Sequence, residues 1–152
     1  RVPARVLPES EIAVDHREAV NDRHGPLAGD LMLRASARVI GDTLRQPDLL
    51  GRFGGEEFIV FLSHADSLGA LDAAECIRER VAQLSFEWRG ETIRTTVSVG
   101  VVALDSQHDT LGALIADADL ALYAAKAAGR NCVRTAGAHP RRSGEAYPVI
   151  SK

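Results

Sequence analysis

The chain has 152 residues, 45% of them hydrophobic, and a formal net charge of −3. That is the length of one domain with enough apolar material to fill a core, which argues against disorder. The charge gives no overall basic field for nucleic acid or an anionic membrane. No apolar run reaches the roughly 18 residues of a membrane span, and no signal-peptide pattern opens the chain, so a cytoplasmic setting is expected. Cys76 and Cys132 lie far apart and outside any metal-ligand spacing.

Ile12-Ala13-Val14 reads as a short apolar strand, reaching back toward Val6. A loop through Asn21, Asp22 and Gly25 is expected next. From Leu27 to Leu44, apolar residues recur at steps of three and four (Ala28, Leu31, Met32, Ala35, Val39, Ile40), which predicts a helix that Pro47 ends. Leu49-Leu50 and Phe58 to Leu62 flank Gly54-Gly55. This predicts a hairpin in which the two glycines supply the positive φ values of a two-residue turn. Ala70, Ala74, Ile77, Val81 and Leu84 mark a second amphipathic helix. Another hairpin turns at Arg89-Gly90, and its return strand carries Ile93, Thr95, Val97, Val99 and Val101 on one face. Leu111, Leu114, Ile115, Ala118, Leu122 and Ala125 predict a third helix closed by Gly129, followed by a short strand at Asn131 to Arg134.

This order predicts an α/β (α+β) fold: a single, mainly antiparallel sheet flanked by helices. From about Ala136 the chain is rich in Gly, Pro, Ser and Arg. A domain over 6–135 and a loose tail over 136–152 are therefore expected.

The most informative stretch is Gly51-Arg52-Phe53-Gly54-Gly55-Glu56-Glu57-Phe58, two carboxylates directly after a glycine turn. Carboxylates at a rigid hairpin tip can hold a hard cation. The stretch resembles the signature of GGDEF domains, the diguanylate cyclases, in the Glu-Glu variant. Two further motifs are similar to that family. Asn21-Asp22 with Gly29-Asp30 resembles its Asn-Asp … Gly-Asp segment. Ala118 to Asn131, ADLALYAAKAAGRN, closely resembles its closing motif, and Ser98-Val99-Gly100 its Ser-hydrophobic-Gly strand.

The resemblance implies a ferredoxin-like core akin to nucleotidyl cyclases and polymerase palms, and a reaction joining two GTP into cyclic di-GMP with release of two pyrophosphates. It implies Mg²⁺ or Mn²⁺ on Glu56, Glu57 and the Val14 backbone, with Glu57 also assigned to accepting the hydroxyl proton. Asn21 and Asp30 become the guanine-reading pair, for which an amide and a carboxylate are suited. Lys126 and Arg130, four apart near a helix end, are expected to converge on a phosphate chain. Arg45-Gln46-Pro47-Asp48 resembles the family's inhibitory Arg-x-x-Asp site for cyclic di-GMP, with Arg52 assisting. A homodimer for catalysis and an upstream sensory domain are implied partners, and since Arg1 to Ser10 shows no helical period, a piece of a longer protein without the family's opening helical segment is expected.

Four positions depart from the family pattern. Its first-strand metal-binding Asp is Ala13, its phosphate-facing Lys is Glu18, its Phe is Arg17, and its His after Gly25 is Pro26. Reversing a charge beside a triphosphate costs about 1–4 kcal/mol. Asp15 lies on the same strand face as Ala13 but about 6–7 Å further along. The expectation is a cyclic di-GMP-binding domain of cyclase type with weakened turnover. A fully active cyclase and a GTP-binding regulatory domain without turnover are the alternatives.

Overall fold

β1 (Glu9–Val14) is the central strand, and alternation along it assigns the two sides of the molecule. In the computed structural model, which describes residues 9–45, 49–52, 54–61, 67–102 and 110–136, Ile12 and Val14 point into the main core. Ala13 points to the opposite face. β1 pairs antiparallel with β3 (Glu57–Phe61) on one side and β6 (Val97–Val102) on the other. β2 (Leu49–Arg52) extends the sheet beyond β3, and β7 (Val133–Ala136) pairs parallel to β6. The five-stranded order is β2-β3-β1-β6-β7.

α2 (Pro26–Thr43) and α3 (Ser67–Gln83) cover the Ile12 face. Met32, Leu33 and Ile40 of α2 and Ala74, Ile77 and Val81 of α3 bury against Phe58, Val60, Val97 and Val99. Each large aliphatic side chain in this layer contributes about 1.5–3 kcal/mol relative to exposure.

α4 (Leu111–Ala127) covers the other face. Its first turn is capped by Thr110, whose Oγ1 accepts from Ala113 N at 3.1 Å. Gly100 lets the helix backbone lie directly on β6. A Cβ there would overlap Leu122 N and sit 2.5 Å from Ala118 O. The small residue of the Ser-Val-Gly strand thus has a specific structural cause.

The helices expected from apolar periodicity are present, with four differences. Asn21 and Asp22 lie not in a loop but in α1 (Arg17–His24). This helix buries no residue fully, so it shows no apolar stripe in the sequence. The acidic hairpin is wider than a two-residue turn. Arg52 pairs with Phe58, and among the described turn residues only Gly54 has positive φ, at 84°. Arg52 closes this turn, donating from Nε to Gly54 O (3.3 Å) and from its NH2 to Gly55 O (2.8 Å).

The return strand of the second hairpin is broken in two. β4 (Ser85–Trp88) and β5 (Glu91–Arg94) form their own sheet, with Arg89 and Gly90 both left-handed as a two-residue turn requires. Thr95 and Thr96 interrupt the run because they bind Asp15 instead of a neighbouring strand. The final strand begins at Val133 rather than Asn131. Residues 6–8, Pro47, Leu62 and the chain after Ala136, on which expectations also fell, lie outside the described residues.

Candidate active site

Where β1 ends, the chain turns through left-handed His16 into α1, and α4 ends on the same side of the sheet. Between them lies an open cavity of about 360 Å³ lined by residues 14–19 together with Asp22, Glu56, Lys126 and Arg130. Four of the expected site residues, Val14, Glu56, Lys126 and Arg130, therefore meet there.

Glu57 sits in register with Ala13 on β1, and Ala13 is in turn opposite Ser98 on β6. Glu57 is mostly enclosed, and its Oε1 is 3.7 Å from Lys126 Nζ. The backbone of Glu56 is fixed by Val14 N, which donates to its carbonyl at 3.0 Å. The Glu56 carboxylate is 43% exposed and faces Arg17, whose NH1 is 3.9 Å away.

Lys126 and Arg130 both reach the cavity, but not by sharing a helix face. α4 ends at Ala127, and the next turn is a left-handed stop: Arg130 N donates to Ala125 O (3.1 Å) and Gly129 N to Lys126 O (3.2 Å). Gly129, Arg130 and Asn131 have φ of 113°, 65° and 45°. A run of such values is uncommon outside glycine, and local hydrogen bonds sustain it here.

One of those bonds is to Asp15, which is 3% exposed. Its carboxylate accepts from Thr96 Oγ1 (2.6 Å), Ser98 Oγ (2.6 Å) and Asn131 N (3.1 Å). Those donors commit it to joining β1, β6 and the α4–β7 turn. Asp15 is thus not available to replace the carboxylate absent at Ala13.

Asn21 and Asp30 do not line the cavity. Asn21 packs on Gly29, the residue before Asp30. A Cβ at Gly29 would overlap the amide, and Asn21 Oδ1 is buried with no hydrogen-bond partner. Asp30 pairs with Arg34 at 3.1 Å on the α2 surface. Exposed Leu27 and Leu31, one turn apart, flank it. Arg45 is exposed just past α2, while Asp48 lies outside the described residues. Arg52 is engaged with the hairpin carbonyls.

The donor set does not fit a divalent cation. Ala13 offers no side-chain oxygen and is 1% exposed. Glu57 is paired with Lys126, and Glu56 has a guanidinium beside it. Among the described residues, no group of three or more His, Cys, Asp or Glu is arranged to hold a metal. Mg²⁺ is usually held by one or two carboxylates together with phosphates and water, whereas here both hairpin carboxylates, Glu56 and Glu57, already face side-chain cations.

Two features were hidden in the sequence: the Asp15 junction and the placement of Arg17 on the hairpin tip. The only signal for the second was the substitution itself, a cation where the resembled family carries Phe.

Residues 11–132 match the family described as diguanylate cyclase, GGDEF domain. Diguanylate cyclase A of Treponema denticola is 37% identical over 122 residues, covering 80% of this chain and 33% of that protein. The GGDEF domain of DgcB from Caulobacter crescentus, solved in complex with c-di-GMP, superposes with a TM-score of 0.81 at 30% identity, over 86% of this chain and 77% of that one. The active GGEEF domain of a diguanylate cyclase from Vibrio cholerae gives a TM-score of 0.81 at 30% identity, over 91% and 85%. This chain spans about a third or less of the curated relatives' length. Its matched segment includes β1, the acidic hairpin and the cationic end of α4, and the chain belongs to the GGDEF domain family.

Proposed function

We propose that this domain binds guanine nucleotides and is at most a weak diguanylate cyclase. The observation that carries the reading is Ala13, buried directly across from Glu57 at the position where a carboxylate would complete the acidic cluster. GTP would lie along α1. The base would meet Asn21, Asp30 and the exposed Leu27–Leu31 pair, and the phosphates would enter the cavity at Lys126 and Arg130.

Making cyclic di-GMP needs two such domains face to face, each presenting one GTP. Glu18 and Asp22 add negative charge where the phosphates would sit. Glu18 alone costs about 1–4 kcal/mol of phosphate attraction, one to three orders of magnitude in rate. Purified domain given GTP with Mg²⁺ or Mn²⁺ should therefore form only traces of cyclic di-GMP. Turnover of about 10 s⁻¹, the median for enzymes, would refute the proposal.

A second reading, binding of cyclic di-GMP at Arg45 and Asp48 with help from Arg52, is favoured by the c-di-GMP complex of the DgcB domain. Exposed Arg45 has the planar donor set to clamp a guanine edge. Calorimetry should find cyclic di-GMP binding that Arg45→Ala weakens by about tenfold. Equal affinity in the variant would remove Arg45 from the site.

A further inference from the structure

The contact between Arg17 and the hairpin tip places a fixed positive charge beside Glu56. Arg17 starts α1, and its guanidinium lies against Gly55, with NH1 3.2 Å from where a Cβ would stand, and faces Glu56 at 3.9 Å. That contact is longer than a hydrogen bond. Arg17 Nε is buried with no hydrogen-bond partner. Packing thus positions the group, and it lines the same cavity as Lys126 and Arg130.

The strand position that would supply a metal ligand is a closed alanine, Glu57 is neutralised by Lys126, and Glu56 is faced by Arg17. Both carboxylates of the hairpin thus have side-chain cations as neighbours. Charge that a bound ion would otherwise supply comes from the chain. Guanidinium is suited to the task because it is always charged and binds phosphate oxygens through two parallel N–H donors.

We infer that Arg17 takes the place of a divalent cation here, so that the triphosphate of a guanine nucleotide is held by Arg17, Lys126 and Arg130 without bound metal. This rests on the guanine-nucleotide reading and adds to it that binding is independent of Mg²⁺ and Mn²⁺. Packing against Gly55 places Arg17, and Glu56 is its neighbouring countercharge rather than a metal ligand.

The test is calorimetric titration of the domain with GTP, in EDTA and then in excess Mg²⁺ or Mn²⁺. The expected Kd in EDTA is within about threefold of that with metal, and Arg17→Gln weakens metal-free binding by about tenfold or more. Arg17→Lys, which keeps the charge but loses the fork, falls between. A second variant, Glu56→Gln, removes a carboxylate from the cavity and tightens metal-free binding. Loss of measurable affinity in EDTA with recovery in Mg²⁺ would overturn the inference and leave the guanine-nucleotide reading standing. So would weakening by Glu56→Gln in the presence of metal. GTP binding in neither buffer would overturn both.

Discussion

The two walls of the cavity are built by opposite means. On the α4–β7 side, Lys126 and Arg130 are placed by a full left-handed helix stop, and that turn is tied to the sheet through Asp15. On the β1–α1 side, Arg17 and Glu18 stand at the start of a helix that buries none of its residues fully, just past the strand that carries buried Ala13. One wall is held by buried, charge-assisted hydrogen bonds and the other by packing and a loose ion pair. Removing the Asp15 junction should destabilise the domain, whereas changing Arg17 or Glu18 should alter its chemistry and leave the fold intact.

Asp15→Ala tests the first wall and carries the largest stability effect. It removes the acceptor for Thr96, Ser98 and Asn131 at a site that is 3% exposed. We expect a loss of about 2–4 kcal/mol in urea unfolding, with Asp15→Asn costing less. A loss below about 1 kcal/mol would show that the junction is not the anchor of that wall. On the second wall, Arg17→Ala should change unfolding free energy by less than about 0.5 kcal/mol. Its partner Glu56 is 43% exposed and 3.9 Å away. A loss as large as that of Asp15→Ala would erase the contrast.

The same contrast decides how much could be read from the sequence. α2 and α4 announce themselves by apolar spacing, and the acidic hairpin by Gly-Gly-Glu-Glu between apolar runs. Lys126, Arg130 and Glu56 were legible because they sit in long motifs, and the structure brings them to one cavity. α1 was not legible, since a helix with no fully buried residue leaves no periodic trace. The break between β5 and β6 was hidden because Ile93, Thr95, Val97 and Val99 keep one buried face across it. Asp15 looked like a spare carboxylate. Its partners lie 81, 83 and 116 residues away, and no local pattern encodes contacts at such distances. Arg17 was visible as a departure from the family, yet its position against Gly55 and Glu56 depends on where β3 meets β1.

The central claim is that the β1–α1 wall, not the fold or the cationic wall, limits the chemistry. The most direct measurement is cyclic di-GMP formation from GTP and Mg²⁺ by the domain and by its Ala13→Asp/Glu18→Lys variant at equal concentration. We expect turnover to rise about tenfold or more, since the change restores a carboxylate opposite Glu57 and reverses a charge in the cavity. A folded variant that is no faster than the parent would contradict it.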